Sequence, residues 1–180
     1  MSFEKAFAEV IGVEGGYSND QSDSGGETNW GITERVARDN GYKGRMKDMP
    51  IEKAHEIYKS EYWDVQNLDA IYSLSPGIAL ELFDTGVNKG IIAAGKYLQR
   101  SLNVLNDRGR YYPDITVDGL IGQKTIQTLW NFRRIRERRG IRVLLKMLNG
   151  LQCAAYIELA EEREKDERFV FGWVEKRVKM

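Results

Sequence analysis

The side chains best equipped for proton chemistry in this chain fall close together, early in the sequence. In IGVEGGYSNDQSDSGGETNWGIT, Ile11 to Thr33, Glu14 ends an apolar run, and a polar, glycine-rich stretch then supplies Asp20, Asp23, Thr28 and Asn29. Phe3, Phe7, Val10, Ile11 and Glu14 recur at helical spacing and share one face. A carboxylate on a face turned toward a core is desolvated, which raises its pKa. The negative end of the helix dipole disfavours its ionisation further. Both effects hold a proton near neutral pH, as a general acid requires. Gly15 and Gly16 let the backbone turn sharply beside it and leave room for a ligand. The same spacing also fits a glutamate that points out of a fraying helix end, and periodicity alone does not separate the two.

The short polar side chains downstream can hold or activate a water. Two carboxylates facing each other are the equipment for splitting a glycosidic bond. They stand about 6.5–9.5 Å apart where the anomeric centre inverts and about 5–5.5 Å where it is retained. An acidic, hydroxyl-bearing loop can also take calcium, but the D-x-D-x-D-G register is missing, so no metal is expected. Tyr17 and Trp30 lie inside the loop and are candidate platforms for apolar sugar faces. Tyr62 and Trp63 sit at helical spacing, where core packing is the simpler reading. Asp84 and Asn88, four apart in ELFDTGVNKG, share a helix face. They either bind sugar amides opposite Glu14 or brace their helix end.

Other chemistries have little to work with. The single cysteine, Cys153, excludes an intramolecular disulfide framework and reads as a small apolar residue in LQCAAYIELA. One histidine, His55, makes neither a zinc site nor a Ser-His-Asp triad and reads as a surface or helix-packing residue. Arg133–Arg139 places five arginines within seven residues. Clustered guanidinium groups favour phosphate, yet Glu137 interrupts the run and no DNA- or RNA-binding motif accompanies it. A solvated helical face, or attraction to anionic polymers and peptide carboxylates, is the expectation, with no nucleic acid as partner. Formal net charge is zero, made of an acidic front and a basic back. Residues 1–96 carry 10 Lys+Arg against 16 Asp+Glu, and residues 97–180 carry 17 against 11.

The elements that must position these residues are nearly all helical. The apolar fraction of 42% and the charged fraction of 30% are those of a globular protein. Thr33 is a cap for a helix through ERVARDN that Gly41 stops. Pro50 suits the first turn of a helix through IEKAHEIYKSEYWD. In SPGIALELFDTGVNKG, Ser75 caps, Pro76 opens and Gly90 ends a helix, and residues 91–105 repeat the pattern. A loop follows, then helices over QKTIQTLWNFRRIRERR, over Ile141 to about Lys165, and near Val170–Lys176. No run alternates as a strand should, although Tyr17–Ile32 can fold back as a small hairpin. The fold class is all-α, with a soft boundary near residue 95. No signal peptide and no apolar run of roughly 20 residues is visible, so cytoplasmic synthesis without stable membrane insertion is expected.

VEGGYSNDQSDSGGETNWGIT resembles the signature of glycoside hydrolase family 108, bacterial and phage N-acetylmuramidases of the lysozyme-like superfamily. The E-G-G-Y turn, the N-D step, D-x-G-G-x-T-N and G-I-T occur in that order. FDTGVNKG, Phe83–Gly90, also resembles a family segment, so the likeness covers roughly Phe7–Ala94. It implies a lysozyme-like catalytic region over 1–95. Glu14 would protonate the leaving glycosidic oxygen, Asp23 would be its partner carboxylate and Thr28 would help to place water. Asp20 competes with Asp23, and the threonine falls one residue early against the phage-type lysozymes. Tyr17, Asp20, Asn29, Trp30, Asp84 and Asn88 are the candidate substrate-binding residues. TVDGLIGQKTIQTLW resembles the D-G-x-x-G-x-x-T segment of peptidoglycan-binding helical modules, which implies a wall-binding region over 96–180. The same residues also read as a plain loop-to-helix junction.

The implied activity is cleavage of the β-1,4 bond between N-acetylmuramic acid and N-acetylglucosamine by a monomer without cofactor, its partner being peptidoglycan glycan strands. A phage or prophage endolysin released at lysis fits this, as does a wall enzyme exported without a signal peptide. The alternative is a catalytically inactive wall-binding or secretion-accessory protein.

Overall fold

The structure, a computed structural model, describes residues 2–11, 16–19 and 26–178, and the side chains of all of these but Ile11. Glu14, Asp20 and Asp23 lie outside the described residues. Among the described residues, eight α-helices and one two-stranded sheet make an all-α fold. No described helix is long and apolar enough to cross a membrane. The chain divides into two compact units, Met1–Val65 and Gln66–Met180.

In the first unit, α1 (Ser2–Ile11) turns Phe3, Ala6 and Phe7 inward. A short hairpin follows, β1 (Thr28–Asn29) and β2 (Ile32–Thr33). Thr33 then accepts a hydrogen bond from the Val36 amide and caps α2 (Glu34–Asp39), as its hydroxyl predicts. Gly41 takes a φ of +77° just beyond that helix. A 3-10 turn at Met46–Asp48 leads to Pro50, whose carbonyl accepts from the Lys53 and Ala54 amides to open α3 (Ile51–Tyr58).

The helix expected to run unbroken through Asp64 instead widens into a π-helix at Lys59–Asp64. There Lys59 reaches Asp64 at 2.6 Å, five residues along, a spacing that a π turn stacks. His55 packs between rings, with its centroid 4.7 Å from Phe3 and 5.1 Å from Phe7. Trp63, fully buried, meets Phe3 edge-on, so of the aromatic candidates it belongs to the core.

The second unit is a helical stack. Asn67, in the left-handed region at φ 53°, starts α4 (Leu68–Leu74) and donates to the Ile121 carbonyl at 2.7 Å. This helix is short and has no side-chain cap, so nothing in its sequence announces it. Ser75 caps α5 (Pro76–Lys89) through the Ile78 amide, Pro76 opens it and Gly90, at φ 89°, ends it. α6 (Ile91–Val104) follows directly. α5 packs on α4, α6 and α7, and α8 (Glu167–Arg177) packs on α7. Ile78, Leu82, Phe83, Leu98, Leu102, Leu129, Phe132, Leu144 and Leu148 form the core. Each buried aliphatic side chain of this size contributes roughly 1.5–3 kcal/mol.

The two helices expected here are present within the span Gln123–Glu162 (α7), and they meet at a kink at Glu137, with φ 50° and ψ −148°. The break falls inside the arginine run and not at Gly140. Gly140 is buried because its missing side chain leaves space for Phe132 and Arg136.

Candidate functional site

The described part of the loop is built on its hairpin. Thr28 pairs with Thr33 and Asn29 with Ile32, which leaves Trp30 and Gly31 as the two-residue turn. Both have positive φ, 54° and 73°, as a type I′ turn requires. Glycine adopts this freely, whereas tryptophan does not. Three bonds hold it there. The Trp30 indole N–H donates to the Met49 carbonyl at 2.8 Å, and the Tyr58 hydroxyl donates to the Trp30 carbonyl at 3.1 Å. The Asn29 amide donates to the Met46 carbonyl at 2.7 Å and is buried. The hairpin is therefore bolted to the 3-10 turn and to α3, and the carbonyls it uses have their acceptor capacity satisfied.

A second clamp ties Ser18 to Thr28. Ser18 and Thr28 exchange both backbone hydrogen bonds, each 2.8 Å, as an isolated antiparallel bridge. The Glu34 amide also donates to the Glu27 carbonyl at 2.8 Å. Thr28 sits on the closing strand. Its hydroxyl donates to the Gly26 carbonyl at a long 3.4 Å and keeps both lone pairs to accept from a ligand or water.

Tyr17, next to the bridge, is 43% exposed. Desolvation and the Glu27 carboxylate, which also hydrogen-bonds to it, raise its phenol above the ordinary tyrosine range. Trp30 is half-buried, its indole nitrogen committed to Met49. The clamping roles of Met46, Met49 and Tyr58 escaped the sequence reading. Only the Trp30-Gly31 pair between hairpin residues hinted that something must hold a tryptophan at positive φ.

Asp84 and Asn88 lie in the second unit, where they belong to one network. Asp84 accepts from Arg177 at 2.8 Å, from Gln152 at 2.8 Å and from Asn88 at 3.3 Å, and Asn88 also donates to the Asp84 carbonyl at 2.7 Å. This carboxylate ties α5 to α7 and α8. Nearby, Lys89 donates to the Ala155 carbonyl and lies over the Tyr156 ring. Its burial lowers the ammonium pKa.

The Asp118 turn is similarly self-contained. Asp118 accepts from Gln99 and from the Leu120 amide, both at 2.8 Å, and Gln99 accepts from the Gly119 amide at 2.7 Å. Those bonds hold the Asp118 carboxyl below the usual range. Gly119 must be glycine on two counts. Its φ is 86°, and a Cβ would lie 2.7 Å from the Ile92 carbonyl.

Comparison with known proteins agrees along the chain. Residues 7–90 match the model of glycosyl hydrolase 108, and residues 93–178 match that of the predicted peptidoglycan domain. The solved structure of Brucella abortus SagA is similar at a TM-score of 0.71 and 26% identity, over 97% of this chain and 88% of that one. No curated protein matches the sequence. Fold and matches together define a glycoside hydrolase of the lysozyme-like class that acts on peptidoglycan. Within that class residues 7–90 belong to glycosyl hydrolase family 108, and residues 93–178 form a predicted peptidoglycan domain.

Proposed function

We propose that this hydrolase is an N-acetylmuramidase, cleaving the β-1,4 bond between N-acetylmuramic acid and N-acetylglucosamine. Glu14 donates its proton to the bridging oxygen as the bond from the anomeric carbon breaks. The Asp23 carboxylate stabilises the oxocarbenium-like charge or orients the attacking water, which the Thr28 hydroxyl helps to place. Tyr17 and Trp30 offer ring faces to the sugars. The observation that carries this reading is the Ser18–Thr28 bridge. It sets Thr28 against Ser18 with exposed Tyr17 alongside, inside the residues that match the hydrolase family.

Turbidity of purified peptidoglycan, followed with wild type beside Glu14→Gln, tests it. The wild type clears the suspension and the variant does not. Equal clearing by both removes Glu14 from the role, and no clearing by either favours the inactive wall-binding alternative. Mass spectrometry of the products then reads the chemistry. A reducing muramic acid end means hydrolysis, and a 1,6-anhydro end means that no water was used. Asp23→Asn and Asp20→Asn, compared in the same assay, decide which carboxylate is the partner.

A further inference from the structure

Residues 133–139 are all exposed, between buried Phe132 and buried Gly140. A helix lying on a core covers a residue every three or four positions, so this corner of α7 stands clear of the protein for nearly two turns. Five of the seven residues are arginine against one carboxylate, Glu137, a net charge of 5 − 1 = +4. Among the described residues none of the five joins an ion pair. Two of them are braced by rings. Arg134 lies 5.0 Å over Trp130, itself 42% exposed, and Arg136 lies 4.5 Å over Tyr111, with Arg110 at 5.7 Å from that ring. Stacking of this kind orders the guanidinium plane while its N–H edge still faces solvent. The helix break at Glu137 leaves three arginines on one segment and two on the next.

We propose that this arginine corner is the surface by which the chain grips peptidoglycan, through the carboxylates of its stem peptides. The inference rests on peptidoglycan being the polymer, as in the reading above, and on neither the bond cut nor the acid that cuts it. Glycan strands of amidated sugars offer little charge, whereas the stem peptides carry carboxylates on flexible chains. Planar forks pair with carboxylates in bidentate fashion. Forks carried on two helical segments suit partners arriving from several directions. A nucleic acid duplex presents regular rails of phosphate, which a single basic stripe would match better. The segment also falls within the match to the predicted peptidoglycan domain.

The test is co-sedimentation of the full chain with insoluble purified sacculi, in the cold and with brief contact, at about 0.05 and 0.5 M salt. Three proteins are compared: wild type, all five arginines of the corner changed to glutamine, and all five changed to lysine. Sacculi whose stem carboxylates have been amidated chemically form a second arm. Wild-type retention should fall with salt. The glutamine variant should lose it roughly tenfold or more, as five exposed charge pairs of modest individual strength would together supply. The lysine variant should fall between. Amidated sacculi should release the wild type to the level of the glutamine variant, a result that needs no variant to fold. Glutamine-variant retention equal to wild type, or amidation without effect, overturns the proposal. Retention is read without turnover, so a wrong choice of catalytic acid leaves this outcome unchanged.

Discussion

The Trp30-Gly31 turn is held by a contact whose energy can be worked out atom by atom. A Cβ on Gly31 would lie 2.7 Å from the Tyr58 hydroxyl oxygen but 4.0 Å from the ring carbon that bears it. Gly31→Ala therefore has two separable costs. A non-glycine residue at φ 73° costs about 1–2 kcal/mol. The displaced hydroxyl also loses its bond to the Trp30 carbonyl, about 1 kcal/mol net. The total is about 2–3 kcal/mol. Tyr58→Phe alone should cost about 1 kcal/mol, and with the hydroxyl already gone only the conformational cost of alanine remains. A double-mutant cycle of Gly31→Ala and Tyr58→Phe, measured by denaturant unfolding, should then show a coupling of roughly 1 kcal/mol, the double mutant being more stable than the two singles predict. If Gly31→Ala costs the same in both backgrounds, the Tyr58 hydroxyl does not crowd the turn. A cost below about 0.5 kcal/mol would mean that the turn does not need positive φ there at all.

Three further outcomes follow from the second unit. Asp84→Ala should cost about 2–4 kcal/mol, because it strands Arg177 and Gln152, while replacing Asp84 and Arg177 together by leucine and methionine should recover much of the loss; unfolding free energies of the three proteins check this. The Tyr112 phenol is buried, donates to the Leu102 carbonyl, and is pushed from 10.0 up to about 12. The fold thus holds that proton more tightly than the unfolded chain, so its stabilisation is complete below pH 10.0 and is lost as pH rises towards about 12. An unfolding series across this range should fall more steeply for wild type than for Tyr112→Phe. Gly95→Ala would set a Cβ 2.0 Å from the Gly119 carbonyl oxygen, a backbone atom that cannot rotate away, and should cost roughly 3 kcal/mol. Gly150→Ala, with nothing within 4 Å, should instead stabilise α7 by about 0.5–1 kcal/mol; melting both variants beside wild type shows whether the signs differ.

Local chemistry was readable from the chain alone. Thr33 and Ser75 cap because a hydroxyl one residue ahead of a helix reaches the orphan amides of its first turn, whatever lies elsewhere. Gly41 and Gly90 follow helix ends because only glycine takes positive φ freely. The inward face of α1 at Phe3 and Phe7 follows from periodicity, and the all-α class from the scarcity of alternation. The order of Glu14, Asp23 and Thr28, with the turn residues between them, was enough to point to the hydrolase family.

Tertiary structure decided what each polar side chain is bonded to. Asn29 and Trp30 look like free ligands in the sequence, yet each gives its N–H to the backbone of the Met46–Met49 turn, nearly twenty residues on. Asp84 and Asn88 share a face as spacing predicted, but Gln152 and Arg177, which satisfy the carboxylate, come from helices that no local rule could bring there. The break at Glu137 lies in a stretch of good helix formers, and the π turn at Lys59–Asp64 continues a helical pattern that does not announce it. Propensity measures a residue's preference in isolation. Burial, hydrogen-bond satisfaction and the course of a helix depend on partners distant in sequence, and those exist only once the chain has closed on itself.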